Sequence, residues 1–254
     1  PGYAGIPLVV LDGNATTDSY GFSVRGGGSL IKGFSVVNFK EQVVISGNTG
    51  NGQNRIGGNY IGVRPDGTSG NMARQSTGVT LKSEAANNQI GGFLTENRNI
   101  IGSCGEGISV SGGSNHNRFN NNYVGIAADG VTPISNHDGI VLRDSTLNNV
   151  GGYINESPNV ISSNQENGII LDNSPSNRVS GNFIGTTSDG AAAAGNATGV
   201  NIRNGSANNF VGGTTFYEKN VISGQNATNN SVGVLIKPDA GVNNTVAGNY
   251  LGVS

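Results

Sequence analysis

The chain has 254 residues, of which 43 are Gly and 38 Asn, with only 12% charged residues and a net charge of −2. Gly and Asn enter turns and left-handed backbone most readily, so a chain built so largely of these two types is not a helical protein. Branched aliphatic runs such as Val43-Val44-Ile45 and Gly168-Ile169-Ile170-Leu171 argue against disorder, the scattered Lys and Arg argue against a nucleic-acid surface, and no apolar run approaches the ~20 residues of a membrane span.

In chain order, residues 1–20 are expected to form a lead-in or capping strand, and residues 21–254 a single domain of repeated coils, the whole being a fragment of a larger protein. The apolar segments GFSV at 21–24 and QVVI at 42–45 open a series that continues as Gly-led strands at Gly78, Gly107, Gly139, Gly168, Gly199 and Gly233. The later steps are 29, 32, 29, 31 and 34 residues, which gives about eight units. Each unit carries two further short apolar segments, as in NQIGG at 88–92 and GNYIG at 58–62. Three short strands per unit with no amphipathic helix between them exclude βαβ repeats and suit a solenoid of three parallel sheets.

One Asn series runs Asn54, Asn88, Asn117, Asn148, Asn177, Asn209 and Asn244, each two residues before an apolar residue. A second runs Asn59, Asn99, Asn122, Asn159, Asn182, Asn220 and Asn249. One Asn per unit at a fixed corner predicts two amide ladders, each Asn taking the bend conformation and passing a hydrogen bond to the next coil. Asn122 is then expected beside Asn99 and Asn159.

The repeat N-x-[IV]-G-G, N-V-I-S, G-I-x-[IL], G-N-Y-I-G, together with the opening Pro1-Gly2-Tyr3-Ala4-Gly5 and Pro7–Gly13, resembles right-handed parallel β-helix repeat proteins of the bacterial surface and secreted type. The resemblance covers nearly the whole chain. It implies an all-β, right-handed parallel β-helix of the pectate-lyase-like superfold and a secreted or cell-surface location. That superfold includes pectate lyases, polygalacturonases, alginate epimerases, phage tailspikes and adhesins, so it selects no single activity.

Candidate chemistry lies in ladders. The position after each Gly-led strand reads Arg25, Ser46, Lys82, Ser111, Arg143, Asp172, Arg203 and Lys237, a stripe expected either to be a self-neutralising solvated face or to bind an anionic glycan through Arg25, Lys82, Arg143, Arg203 and Lys237. Tyr60, Tyr123, Phe183 and Tyr250 form an aromatic ladder in which the tyrosines either stack on sugar rings or pack against a loop. Glu96, Glu156 and Glu218 recur on one loop, and Asp66, Asp129 and Asp189, each followed by Gly, read as turn formers rather than calcium ligands. His137 beside Asp138, with His116 a coil earlier, is the one break in the repeat suited to an acid–base or metal site. Cys104, the sole cysteine, is expected to fill the core.

No catalytic residue, metal or cofactor is assigned. The expected function is a non-enzymatic rigid scaffold or adhesin, with polysaccharide or cell-surface glycan as partner. The alternatives are a polysaccharide lyase or glycoside hydrolase, and a subunit that self-associates end to end into filaments.

Overall fold

The computed structural model describes residues 5–14, 20–47, 52–70, 76–152, 158–225 and 231–252. Among these the chain is built from short strands, with two single-turn 3-10 segments at Thr95–Asn97 and Phe216–Glu218 and no α-helix. The strands are dealt in rotation to three sheets. Sheet A has nine strands, from Val9–Asp12 to Tyr250–Leu251; sheet B has eight, from Tyr20–Val24 to Val232–Ile236; sheet C has eight, from Leu30–Ile31 to Thr245–Ala247. Every strand pairs in parallel with the equivalent strand one coil away, which makes the chain a right-handed parallel β-helix. The segment expected as a lead-in already contributes the first strand of sheet A, Val9–Asp12, in register with Phe34–Val37.

Register explains the core. On sheet B the inward positions stack as Val43, Val79, Ile108, Ile140, Ile169 and Val200, and again as Ile45, Leu81, Val110, Leu142, Leu171 and Ile202. Sheet C supplies Ile56, Ile90, Phe119, Val150 and Val179, and sheet A supplies Ile61, Ile101, Val124, Ile161 and Ile184. All of these are buried and join in one continuous cluster. Near the start of the sheet-B strands Gly78, Gly107, Gly139, Gly168 and Gly199 are there for lack of space: a Cβ on Gly139 would lie 2.4 Å from the carbonyl oxygen of Gly168.

Both expected Asn ladders are present. Asn99 Nδ2 donates to Asn122 Oδ1 at 2.9 Å, and Asn122 Nδ2 donates to Asn159 Oδ1 at 3.0 Å. On the other ladder Asn54 donates to Asn88 at 2.9 Å and Asn88 to Asn117 at 3.0 Å, and the series runs on to Asn244. The expectation that the Asn itself takes the bend is corrected. On the first ladder the left-handed residue is its predecessor, Gln53, Asn87, His116, Leu147, Ser176, Asn208 or Asn243, with φ from 48° to 60°. That leaves the Asn free to turn its amide inward, where its oxygen accepts from the previous coil and its nitrogen donates to the next.

A third ladder was not foreseen. At the corner between sheets A and B, Cys104 N–H donates to Asn136 Oδ1, Asn136 Nδ2 to Asn164 Oδ1, Asn164 Nδ2 to Asn196 Oδ1, and Asn196 N–H to Gln225 Oε1, all within 2.9–3.1 Å. Cys104 thus occupies the column where the following coils have amides. Its thiol is fully buried, and burial pushes its pKa up to about 12.

Candidate functional site

The sheet-B stripe exists as a column in register, Ser46 beside Lys82 and Asp172 between Arg143 and Arg203. It is not a free cationic track. Lys82 pairs with Glu41 at 2.8 Å, Arg143 with Glu106 at 2.6 Å, and Arg203 with Asp172 at 2.8 Å. Glu41 and Glu106 stand at the opposite end of the strand from the basic column, so the first two pairs reach across the width of the sheet. Beneath these arches the outward-facing Val44, Thr80, Ser109 and Val141 are buried. The Glu106 carboxylate raises the Arg143 pKa further. Burial pushes the Asp172 carboxyl up, but hydrogen bonds from Asn204 and Arg203 outweigh it and hold the group below its usual range. Only Arg25 and Lys237, at opposite ends of the stripe, lack an ion pair among the described residues. The charges of Lys82, Arg143 and Arg203 are thus each met by a carboxylate of the same sheet.

The aromatic ladder points away from the coil yet is largely covered. Three loops fold back on sheet A through the antiparallel bridges Val63 to Ser69, Ile126 to Pro133 and Thr186 to Ala193. Under them a second apolar cluster forms from Val63, Ile100, Tyr123, Ile126, Ile134 and Val160, with Tyr60 and Phe183 packed against it. Tyr123 is 6% exposed, with the Arg98 guanidinium 4.1 Å from its ring centre, and is closed to a sugar ring. Tyr60 is half-buried, while Tyr250 is 43% exposed under Lys219. The Asp-Gly pairs now have two causes. Asp66, Asp129 and Asp189 accept hydrogen bonds from Thr68, Thr132 and Thr187 of their own turns, which lowers each carboxyl pKa. The Gly supplies the left-handed turn position, with φ of 82°, 71° and 73° at Gly67, Gly130 and Gly190, and at Gly190 it also makes room for a ring, since a Cβ there would sit 2.9 Å from Phe183.

The remaining candidates do not converge. His137 Nδ1 lies 3.0 Å from Asp138 Oδ2, and Asp138 also accepts from the Asn167 side chain at 2.8 Å, so this carboxylate acts as a bracket between two coils. His116 lies before a sheet-C strand and His137 before a sheet-B strand, at different corners, which separates the two histidines taken together in the sequence. Glu218 pairs with Arg178 and closes a capping box with Thr215; Glu156 lies outside the described residues. Among the described residues no group of three or more His, Cys, Asp or Glu is placed to hold a metal ion.

Sequence reasoning passed over sheet C. The variable position of the N-x-[IV] motif stacks as Leu30, Arg55, Gln89, Arg118, Asn149, Arg178 and Phe210, all in register and all facing outward. The signal was present, one residue after each ladder Asn, but it is hidden at the position where the motif tolerates any residue. No protein-family model matches the chain, and no curated protein or solved structure matches it.

Proposed function

We propose that this chain is a non-enzymatic β-helix module of a secreted or cell-surface protein, a rigid rod that holds surfaces at fixed spacing. The observation that carries this reading is the continuity of the amide ladders, which run from coil to coil without the local break that would gather unlike catalytic groups. A β-helix hydrolase needs two carboxylates facing each other across a groove, and a lyase needs a base beside acidic metal ligands. Here Glu41, Glu106, Asp172 and Glu218 are each held by a cation, and Asp66, Asp129 and Asp189 by their own turns. Incubation with a panel of acidic and neutral polysaccharides, followed for new reducing ends and for unsaturated uronate, is expected to show no cleavage above blank. Cleavage of any member that tracks with the purified protein refutes the proposal.

A further inference from the structure

Because Asn54, Asn88, Asn117 and Asn148 turn inward, the residues on either side of them stand out from the rod in two parallel columns. One column is the left-handed corner, Gln53, Asn87, His116 and Leu147, all exposed. The other is the outer face of sheet C, Arg55, Gln89, Arg118 and Asn149, in register coil by coil. Between the columns lies a trough of about 380 Å³ that runs along the rod axis. The structure thus hollows its surface directly over an amide ladder, and it does so in the middle of the rod.

We propose that this trough binds a segment of acidic polysaccharide, a linear polyuronate in which the carboxylates presented to one side of the extended chain recur about every two sugar residues. Arg55 and Arg118 are exposed and carry no ion pair among the described residues, unlike Lys82, Arg143 and Arg203 on sheet B. They stand two coils apart, about 9.6 Å at the rise of parallel strands, which is close to the length of two pyranose units in an extended chain. A guanidinium fork grips a carboxylate through two parallel hydrogen bonds. Gln89 between the two arginines, and Asn87 and Asn149 beside them, offer amides that both donate and accept, as sugar hydroxyls require.

The trough also has an apolar contact. Leu147 is 48% exposed and holds φ of +57°, a conformation costly for a branched side chain, and it presents its methyl groups at the end of the trough, where the C–H face of a sugar would rest. Along the rod the site is bounded. Arg178 in the same column is tied to Glu218, and Leu30 and Phe210 beyond are apolar. Phe, Tyr and Trp are missing from the residues lining the trough and His116 is its one ring, so it offers no run of platforms for stacking successive bases and is a poor fit to single-stranded nucleic acid.

The ligand class deepens the scaffold reading by naming what the rod holds. The test is calorimetric titration of the intact chain with a galacturonate hexamer, beside cellohexaose as the neutral chain, a heparin-type hexamer as the sulfated one, and a thymidine oligonucleotide. Saturable binding of the galacturonate hexamer that weakens with added salt is expected, with no binding of cellohexaose. Joint Arg55→Gln and Arg118→Gln substitution should lower affinity at least tenfold, and Arg118→Lys, which keeps the charge but loses the fork, should lower it by less. Joint Arg25→Gln and Lys237→Gln substitution should leave it unchanged. Tighter binding of the sulfated hexamer than of galacturonate, lost in the same arginine variants, would keep the trough but overturn its assignment to carboxylates. No binding of either acidic chain, equal binding of the oligonucleotide, or equal loss in the Arg25 and Lys237 variant overturns the site. Melting curves identify a variant that fails to fold, in which case the single substitutions give the reading. Chain-length analysis of the recovered hexamer separates the two claims: binding followed by cleavage refutes the scaffold reading and leaves the site standing, whereas neither binding nor cleavage refutes the site alone.

Discussion

Replacing Asn122 by Ala removes one rung from the middle of a buried ladder, and the cost can be worked from its bonds. The amide accepts from Asn99 Nδ2 at 2.9 Å and donates to Asn159 Oδ1 at 3.0 Å, to Ile90 O at 3.0 Å and to Asn120 O at 3.1 Å. After truncation Asn159 Oδ1 keeps the Asn122 N–H at 3.0 Å, and Asn120 O keeps the Gly92 N–H at 3.1 Å. Asn99 Nδ2 keeps only the Ile56 carbonyl oxygen at 2.8 Å, and the buried Ile90 carbonyl loses the amide as a donor. Four bonds of the amide are lost, and at about 0.5–1.5 kcal/mol net for each the loss is about 2–6 kcal/mol. Asn122→Asp should cost at least as much, because a carboxylate in that place faces three acceptor oxygens and is buried without a cation. Chemical denaturation followed by far-UV circular dichroism reads both. Coupling gives a second reading: Asn122→Ala and Asn159→Ala share a bond and should not add, whereas Asn122→Ala and Asn209→Ala, on different ladders, should add. A loss under 1 kcal/mol for Asn122→Ala, or strict additivity of the adjacent rungs, would refute the ladder as a source of stability.

Further outcomes follow from particular contacts. Gly139→Ala forces a Cβ to within 2.4 Å of the Gly168 carbonyl oxygen, and a shift in the denaturation midpoint worth about 1–3 kcal/mol of overpacking is expected. Leu147→Asn relieves a left-handed leucine and should stabilise the fold by about 1 kcal/mol, visible as a higher midpoint. The turn carboxylates Asp66, Asp129 and Asp189 have pKa values lowered by the hydrogen bonds of their own threonines, so the stability they contribute is present above the unfolded carboxyl value of about 4 and is lost as pH falls through the lower folded values. An acid titration of melting temperature should therefore be flat for these groups above that point and fall below it. Cys104, buried and with its thiol pushed up to about 12, should resist alkylation in the native state at neutral pH and react after unfolding.

The sequence announces what is repeated identically and hides what is not. The ladders of Asn54 to Asn244 and Asn59 to Asn249 are legible because only an amide both donates and accepts in one plane, so each coil keeps the same residue. The ladder through Asn136, Asn164 and Asn196 is harder to see because Cys104 and Gln225 occupy its ends. The basic stripe is legible as a column, since register follows from strand period. Its partners are not, because Glu41 and Glu106 lie five residues before the basic column in sequence register and bond diagonally, one coil back. Tyr123 reads equally well as exposed or covered until the loop at Ile126 to Pro133 is placed over it. Arg55 and Arg118 escape notice for a different reason: an outward position that tolerates Gln, Asn and Phe leaves no motif, and only stacking shows which residues become neighbours.

Coil-upon-coil register is the claim on which the ladders, the arches and the trough all depend. Spin labels at Ser46→Cys and Lys237→Cys, in a Cys104→Ser background, lie on one column of sheet B separated by six coil rises. A single narrow distance distribution centred at about 29 Å is expected from the parallel-strand rise, broadened only by the label arms. A broad distribution, or a centre displaced by more than two rises, would contradict it.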